Sequence, residues 1–253
     1  MKTRTPFSHN DLKIKKKDRV LEIGPGHNPF FRANVLLEKF IESNFHRCGD
    51  VKVYPHQEFI NGDAENLPFP DKSFDYIYCS NVLEHVEHPE AFFRELSRVG
   101  KRGYIETPSI MGESMFPKKS HKWCVLDIDG KLVLFEKAAM PGNYGNDYGE
   151  ACLNYLPYQS LPYKIAQMTE TQFSFVRYEW KDGIDYVINP EDEEYRRYFT
   201  QPWTREMCEK IYPPRGLWKE FCRTMRALRL IVCEKISSKL HRDRIPKELF
   251  SAD

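Results

Sequence analysis

Two groups of residues in this 253-residue chain have types and spacing suited to chemistry. The first is Val20-Leu-Glu-Ile-Gly-Pro-Gly-His-Asn-Pro29, where a short apolar run containing Glu22 leads into Gly24, Pro25 and Gly26. Lacking Cβ atoms, the two glycines let the backbone turn tightly and let a ligand approach, and Asn28-Pro29 supplies an N-cap and a first-turn proline for a helix. Strand, glycine loop and helix in that order form a nucleotide cradle. Glu38 closes the next apolar run, where doubly wound nucleotide-binding folds place a carboxylate against ribose hydroxyls. It follows Gly24 more closely than the roughly 20 residues of the dinucleotide fingerprint, so the first crossover helix is expected to be stunted. The second group is Glu84-His85 with the distant His121 of Ser120-His-Lys-Trp123. Carboxylates and imidazoles are the side chains that exchange protons near neutral pH. Helix capping and core packing are the competing roles for Glu84 and His85, and a hairpin corner for His121 and Trp123; His88 is set aside because it opens a helix.

The first half of the chain supplies elements to position these groups. Short apolar runs alternate with amphipathic stretches, the pattern of βαβ units and a mostly parallel sheet. Strands are expected at Arg19 to Ile23, Val35 to Leu37, Glu58 to Ile60, Phe74 to Cys79 and Gly103 to Thr107. Pro89 to Val99 reads as a helix: proline starts it, Phe92, Phe93, Leu96 and Val99 share a face, and Gly100 follows. Beyond Pro108 the rhythm breaks. Val125 to Phe135 reads as a hairpin around Asp129-Gly130, and Phe175 to Ile188 as a second around Lys181-Asp182-Gly183. Between them Met140 to Tyr163 is expected to be a loop or lid, in which Tyr144, Tyr148, Tyr155, Tyr158 and Tyr163 either stack on an acceptor or pack the lid itself. From Trp203 the pattern is helical, with Leu217, Phe221, Met225, Leu228, Val232 and Ile236 at three- or four-residue spacing and Arg and Lys over the remaining surface as far as Arg244. A solvated basic face is the expected reading, with nucleic-acid or membrane-surface contact as the less favoured one.

Composition narrows the function classes. Lys plus Arg number 38 against 37 Asp plus Glu, which excludes a surface built wholly for phosphate. Seven cysteines, Cys48 among them, form no CxxC pair, so neither a disulfide framework nor a zinc ribbon is indicated, and a reducing cytoplasmic setting is expected. No run of about 18 apolar residues is present, so no membrane span is expected.

Val20 to Gly26, Gly62-Asp-Ala-Glu-Asn-Leu-Pro-Phe69, Asp71-Lys-Ser-Phe-Asp-Tyr76 and Asn81-Val-Leu-Glu-His-Val86 resemble, in order, the motifs of class I S-adenosylmethionine-dependent methyltransferases, the type 11 group above all. The likeness covers about Asp18 to Ser109 and departs from the family at His27-Asn28-Pro29, where a third glycine is common. It implies an α/β, doubly wound, Rossmann-like sheet of seven mostly parallel strands, with the two late strands within Phe173 to Ile188 as an antiparallel edge. It further implies that Gly24, Pro25 and Gly26 pass under the methionine moiety, Glu38 binds ribose, Asp63 and the backbone of Ala64 read adenine, and Ser80 and Asn81 face the sulfonium; Glu22 belongs to the same motif. On this reading residues 1–109 are the cofactor-binding part, 110–172 an inserted hairpin and lid over the acceptor, 173–190 the last two strands and 191–253 a helical appendage. Leu83 to Val86 with His121 also resembles the metal-binding pattern of ubiquinone-pathway and small-RNA 2′-O-methyltransferases, which implies Mg²⁺ at Glu84, His85 and His121; here Asn81 replaces that pattern's first carboxylate. The expected function is methyl transfer from S-adenosylmethionine to a hydroxyl or amine of a small molecule, glycan or glycolipid precursor. The rivals are a non-catalytic scaffold on the same sheet and a nucleic-acid methyltransferase.

Overall fold

The computed structural model describes residues 1–42, 49–141, 148–170, 172–240 and 246–248; Cys48, Tyr144 and Arg244 lie outside the described residues. The chain opens with β1 (Lys2–Arg4), β2 (Val20–Ile23), β3 (Val35–Glu38), β4 (Lys52–Val53), β5 (Glu58–Asn61) and β6 (Tyr76–Ser80). Helix α1 (Pro89–Val99), β7 (Arg102–Pro108), α2 (Ile110–Met115), β8 (Trp123–Ile128) and β9 (Lys131–Glu136) follow. Beyond them come α3 (Leu156–Gln159), α4 (Leu161–Thr169), β10 (Phe175–Lys181), β11 (Tyr186–Ile188), α5 (Glu193–Thr200), α6 (Arg205–Ile211), α7 (Leu217–Leu240) and β12 (Lys247–Glu248).

Seven strands form one sheet in the order β1-β10-β7-β6-β2-β3-β5. The five from β7 to β5 are parallel, and β10 runs antiparallel to β7. Such a sheet must be covered on both faces, which is why its strands read as nearly continuous apolar runs. Leu21, Ile23, Ile77 and Cys79 face a core closed by Phe92, Phe93 and Leu96 of α1. Val20, Leu36, Tyr76, Tyr78 and Tyr104 face the other way, toward Leu12, Ile14 and Phe30. In register, Ile23 pairs with Leu37 on one side and Cys79 on the other, so β2, β3 and β6 end level. The strand order changes direction at β2 and β6, and ligands of open α/β sheets bind beyond the carboxyl ends at such a point.

The fold class expected from the sequence is borne out, with three differences. Only one of the two late strands joins this sheet. Strand β11 instead pairs in parallel with β9, making a three-stranded sheet β11-β9-β8, and β1 takes the edge beside β10. Asp129 and Gly130, at φ of 53° and 77°, form the expected hairpin turn between β8 and β9. Second, no helix follows the glycines. The link from β2 to β3 carries Pro25 and Pro29, which lack N–H donors, and the backbone N–H of Phe30 donates instead to Glu22 Oε2 at 2.8 Å. Gln57 Nε2 donates to the carbonyl of Phe30 at 2.8 Å, and the Phe30 ring stacks on Tyr78 at 4.3 Å. Third, the described part of the expected lid, 148–170, is largely helical, and Ile165 and Met168 of α4 pack with Ala227 and Ile231 of α7.

Glu22 is 3% exposed, and its one printed bond is to Phe30. Burial, only partly offset by the Phe30 N–H and reinforced by the charge of Glu38, pushes its carboxyl up to about 8. The folded state therefore keeps a proton that the unfolded chain releases near the ordinary carboxylate range, and stability falls as pH rises through that window. Between about pH 5 and pH 8.5 this costs on the order of 3 kcal/mol. Urea unfolding at the two pH values should show the decline in the natural sequence and a much flatter profile in Glu22→Gln, which keeps the acceptor oxygen without the charge.

Candidate functional site

A cavity of about 340 Å³ opens at the carboxyl ends of β2, β3, β5 and β6, within the range of small-molecule sites. Gly24 and Gly26 form its floor, both with positive φ, at 65° and 53°. At Gly24 the demand for glycine is double, because a Cβ there would also lie 2.4 Å from Val82 Cγ2. Asn81, at φ 54°, reverses the chain after β6; Asn is one of the few side chains that tolerates that conformation. One wall carries Glu38 and Asp63. The Asp63 carboxylate pairs with Lys39 at 2.7 Å and accepts the N–H of Glu65 at 3.0 Å; burial opposes its ionisation, but these partners outweigh burial and hold its pKa below the usual value. The opposite end is formed by His85, Val86, Glu87, Lys119, Ser120 and Lys122, with Glu87 and Lys122 ion-paired.

Behind His85 lies a buried polar cluster. The 120–123 segment is tied to the Leu83–His85 turn by Lys122 N–H donating to the Glu84 carbonyl at 2.7 Å and Trp123 Nε1 donating to the Val86 carbonyl at 2.8 Å. That tie brings His121 to within 4.7 Å of the His85 ring and sets its Nε2 3.9 Å from Glu84 Oε1. On its other side His121 Nδ1 donates to Glu113 Oε2 at 2.5 Å, and Glu113 also receives Lys137. Thr107 Oγ1 donates to Glu84 Oε2 at 2.9 Å, whereas Glu84 Oε1 is a buried oxygen with no hydrogen-bond partner. Burial pushes the Glu84 carboxyl up to about 7, against the pull of His121 and Thr107. Glu113 behaves oppositely: burial raises it, but His121 and Lys137 outweigh burial and hold it low. His85 Nδ1 meets the Ser120 carbonyl at 3.1 Å and so is the protonated ring nitrogen, which makes Nε2 the basic one.

Glu84, His85 and His121 thus form one group, with a ligand atom from each lying within 4.8 Å of the others. The set fits a divalent ion in two respects: an unpartnered buried carboxylate oxygen, and an imidazole, His121, fixed by a carboxylate on its far nitrogen. With two nitrogens and one oxygen it suits a zinc- or manganese-like ion better than Mg²⁺, which favours oxygen ligands.

Of the nine positions expected to hold a cofactor, Gly24, Gly26, Glu38, Asp63, Ala64 and Asn81 line the cavity, as does His85. Glu22, Pro25 and Ser80 do not: Glu22 anchors the loop from beneath, and Ser80 Oγ donates to Glu106 at 3.3 Å. Glu106 is itself engaged by Tyr104 and Arg177, so it ties β7 to β10. Tyr148, Tyr155, Tyr158 and Tyr163 are also absent from the lining. Sequence reasoning missed Lys39, Lys119, Lys122 and Glu113. Lys39 was in principle findable, since it follows the strand-end Glu38; Glu113 and Lys137 become neighbours of His121 only through the packing of α2 and the β8–β9 hairpin.

Residues 36–105 match the family model described as a methyltransferase domain. The chain is 34% identical over 106 residues to a malonyl-[acyl-carrier protein] O-methyltransferase of Bacteroides fragilis, covering 38% of this chain and 21% of that protein. It is 39% identical over 103 residues to a ubiquinone/menaquinone biosynthesis C-methyltransferase of Pseudomonas fluorescens, covering 36% and 40%. The similarity therefore spans less than half the length of either relative. A solved S-adenosylmethionine-dependent methyltransferase from Mesorhizobium loti aligns over 46% of this chain and 56% of its own, at 18% identity and a TM-score of 0.30, too low to bear on the fold. The resemblance of the motifs to class I S-adenosylmethionine-dependent methyltransferases is borne out by the family match and these relatives.

The polar cluster yields its own stability test. Glu113→Ala would leave Lys137 and His121 without their buried counter-charge, a loss expected to cost about 3 kcal/mol. A urea midpoint within experimental error of the natural sequence would contradict the pairing.

Proposed function

We propose that the chain is an S-adenosylmethionine-dependent methyltransferase that methylates a hydroxyl or amine of a small-molecule, glycan or glycolipid-precursor acceptor. The observation that carries this reading is one cavity lined by the Gly24–Gly26 turn, by Glu38 and Asp63, and by Asn81 and His85. In it Glu38 binds the ribose hydroxyls, Asp63 and Ala64 hold adenine, and the glycine turn admits the methionine part where any side chain would collide. The bound cofactor supplies an electrophilic methyl group on a sulfonium. The two relatives named above methylate oxygen and carbon respectively, so the choice of acceptor atom rests on His85 and the cluster behind it.

Transfer is an in-line displacement: the acceptor forms a bond to the methyl carbon as the carbon–sulfur bond breaks, leaving S-adenosylhomocysteine. Holding the two in line within a dry cavity supplies much of the rate. The acceptor's proton passes to His85 Nε2, while Ser120 fixes the ring through Nδ1. His121, held by Glu113, lies against Glu84 and keeps negative charge behind His85 as it becomes cationic. A second reading has a specific observation in its favour, the orphaned Glu84 Oε1 between two imidazoles. A divalent ion held by Glu84, His85 and His121 would lower the pKa of an acceptor hydroxyl.

Isothermal titration should show S-adenosylmethionine and S-adenosylhomocysteine binding at micromolar levels, weakened at least roughly tenfold in Gly24→Ala. Failure of folded protein to bind either ligand would favour the scaffold alternative. With an acceptor in hand, His85→Ala should lower kcat by about 100-fold or more and leave cofactor affinity within about twofold. Loss of turnover on chelation, restored by Zn²⁺ or Mn²⁺, would select the metal reading over the base.

A further inference from the structure

Helix α7 is seated on the protein by a face other than its apolar stripe. Ala227 and Ile231, 0% and 4% exposed, pack with Phe7 and Met168. Arg223 and Arg226 lie over the Phe7 ring, and Arg226 pairs with Asp11 at 2.7 Å. Both acids of α7 are engaged from other elements or the preceding loop: Glu234 pairs with Lys164 of α4 at 3.4 Å, and Glu220 with Arg215. What remains outward is an unusual surface. Leu217 is 91% exposed and Trp218 74%, and Phe221, Met225, Val232 and Ile236 are each about half exposed. At three- and four-residue spacing these side chains share an arc of about 100°, and they run about 28 Å along the helix. Arg229, Lys235 and Lys239 are exposed along the same arc or at its border, and by helical periodicity Glu220 and Glu234 fall on the opposite side.

We infer that α7 lies flat on an anionic membrane surface, its Leu217–Ile236 stripe sunk among the acyl chains and Arg229, Lys235 and Lys239 at the headgroups. The match is one of charge and shape together. An apolar ridge with a Trp and a Phe toward one end, bordered by cations, is the pattern of a helix that rests in the interface. Spanning is excluded as its mode, because no described helix is long and apolar enough to cross a membrane. A second copy of this chain is a poorer fit, since two such faces would bring cations against cations with no acid of α7 on the arc. Nucleic acid is also poorer: cations suit phosphate, but Leu217, Met225, Val232 and Ile236 offer no ring for a base to stack on. The contact is independent of what the cavity binds.

Flotation of the full chain with phosphatidylcholine vesicles, and with vesicles containing phosphatidylglycerol, tests this. The expected result is strong capture by the anionic vesicles, weaker capture by the neutral ones, and a decline with added salt. Phe221→Gln with Val232→Gln should lower capture at least roughly tenfold, and Arg229→Glu with Lys239→Glu should remove the anionic preference, at roughly fivefold per cation lost. Both pairs are surface changes, so an unchanged urea midpoint accompanies either result. Capture by neither vesicle overturns the proposal. So does a concentration-dependent dimer that Phe221→Gln with Val232→Gln abolishes without any vesicle binding, which assigns the stripe to a second copy. Binding to an RNA oligomer with none to vesicles overturns it in favour of nucleic acid.

Discussion

At the carboxyl ends of β2 and β6 two chain reversals stand side by side, and residue 24 has space for no Cβ because Val82 Cγ2 would lie 2.4 Å away. The parallel register of β2 with β6 sets that approach, with Ile23 opposite Cys79. Gly24 turns one chain under the cavity and Asn81 turns the other away from it, both with positive φ. The space between them is the cavity, and everything that lines it is placed relative to these two turns. Glu22, inside β2, completes the device by giving its carboxyl to the Phe30 N–H, so the loop beyond the glycines is held without a helix.

The chemical end of the cavity depends on a second constraint. Lys122 N–H and Trp123 Nε1 bond to carbonyls of Glu84 and Val86, which ties the entry of the small sheet to the turn after β6. His121 reaches Glu84 and His85 through that tie. The result is a buried group of two carboxyls shifted in opposite directions, Glu84 up to about 7 and Glu113 down, around one imidazole. Environments that push like groups apart are suited to proton or ion handling.

Much of this was legible in the sequence where local and global preferences agree. Pro89 to Val99 is the helix its proline start, apolar face and terminal glycine predict, and Asp129-Gly130 is the turn its composition predicts. The glycine floor, Glu38, Asp63, Asn81 and His85 were readable because ligand-facing residues follow strand ends. The failures share a cause: a local pattern does not say what an element packs against. Lys2–Arg4 is too short to show a period, yet it takes the sheet edge beside Trp180. Tyr186–Ile188 has strand composition but finds its partner in β9 rather than across the preceding turn. The stripe from Leu217 to Ile236 was visible as a helical face, but the side turned to the protein is the one carrying Ala227 and Ile231, beside Phe7.

The central claim is that the cavity beyond β2 and β6 holds the methyl donor. A crystal structure of the protein grown with S-adenosylhomocysteine tests it most directly. The account predicts adenine beside Asp63 and Ala64, the ribose hydroxyls on Glu38, the amino-acid part over Gly24 and Gly26, and the sulfur directed toward Asn81 and His85. A ligand seated elsewhere, or an empty cavity in crystals saturated with ligand, would contradict it.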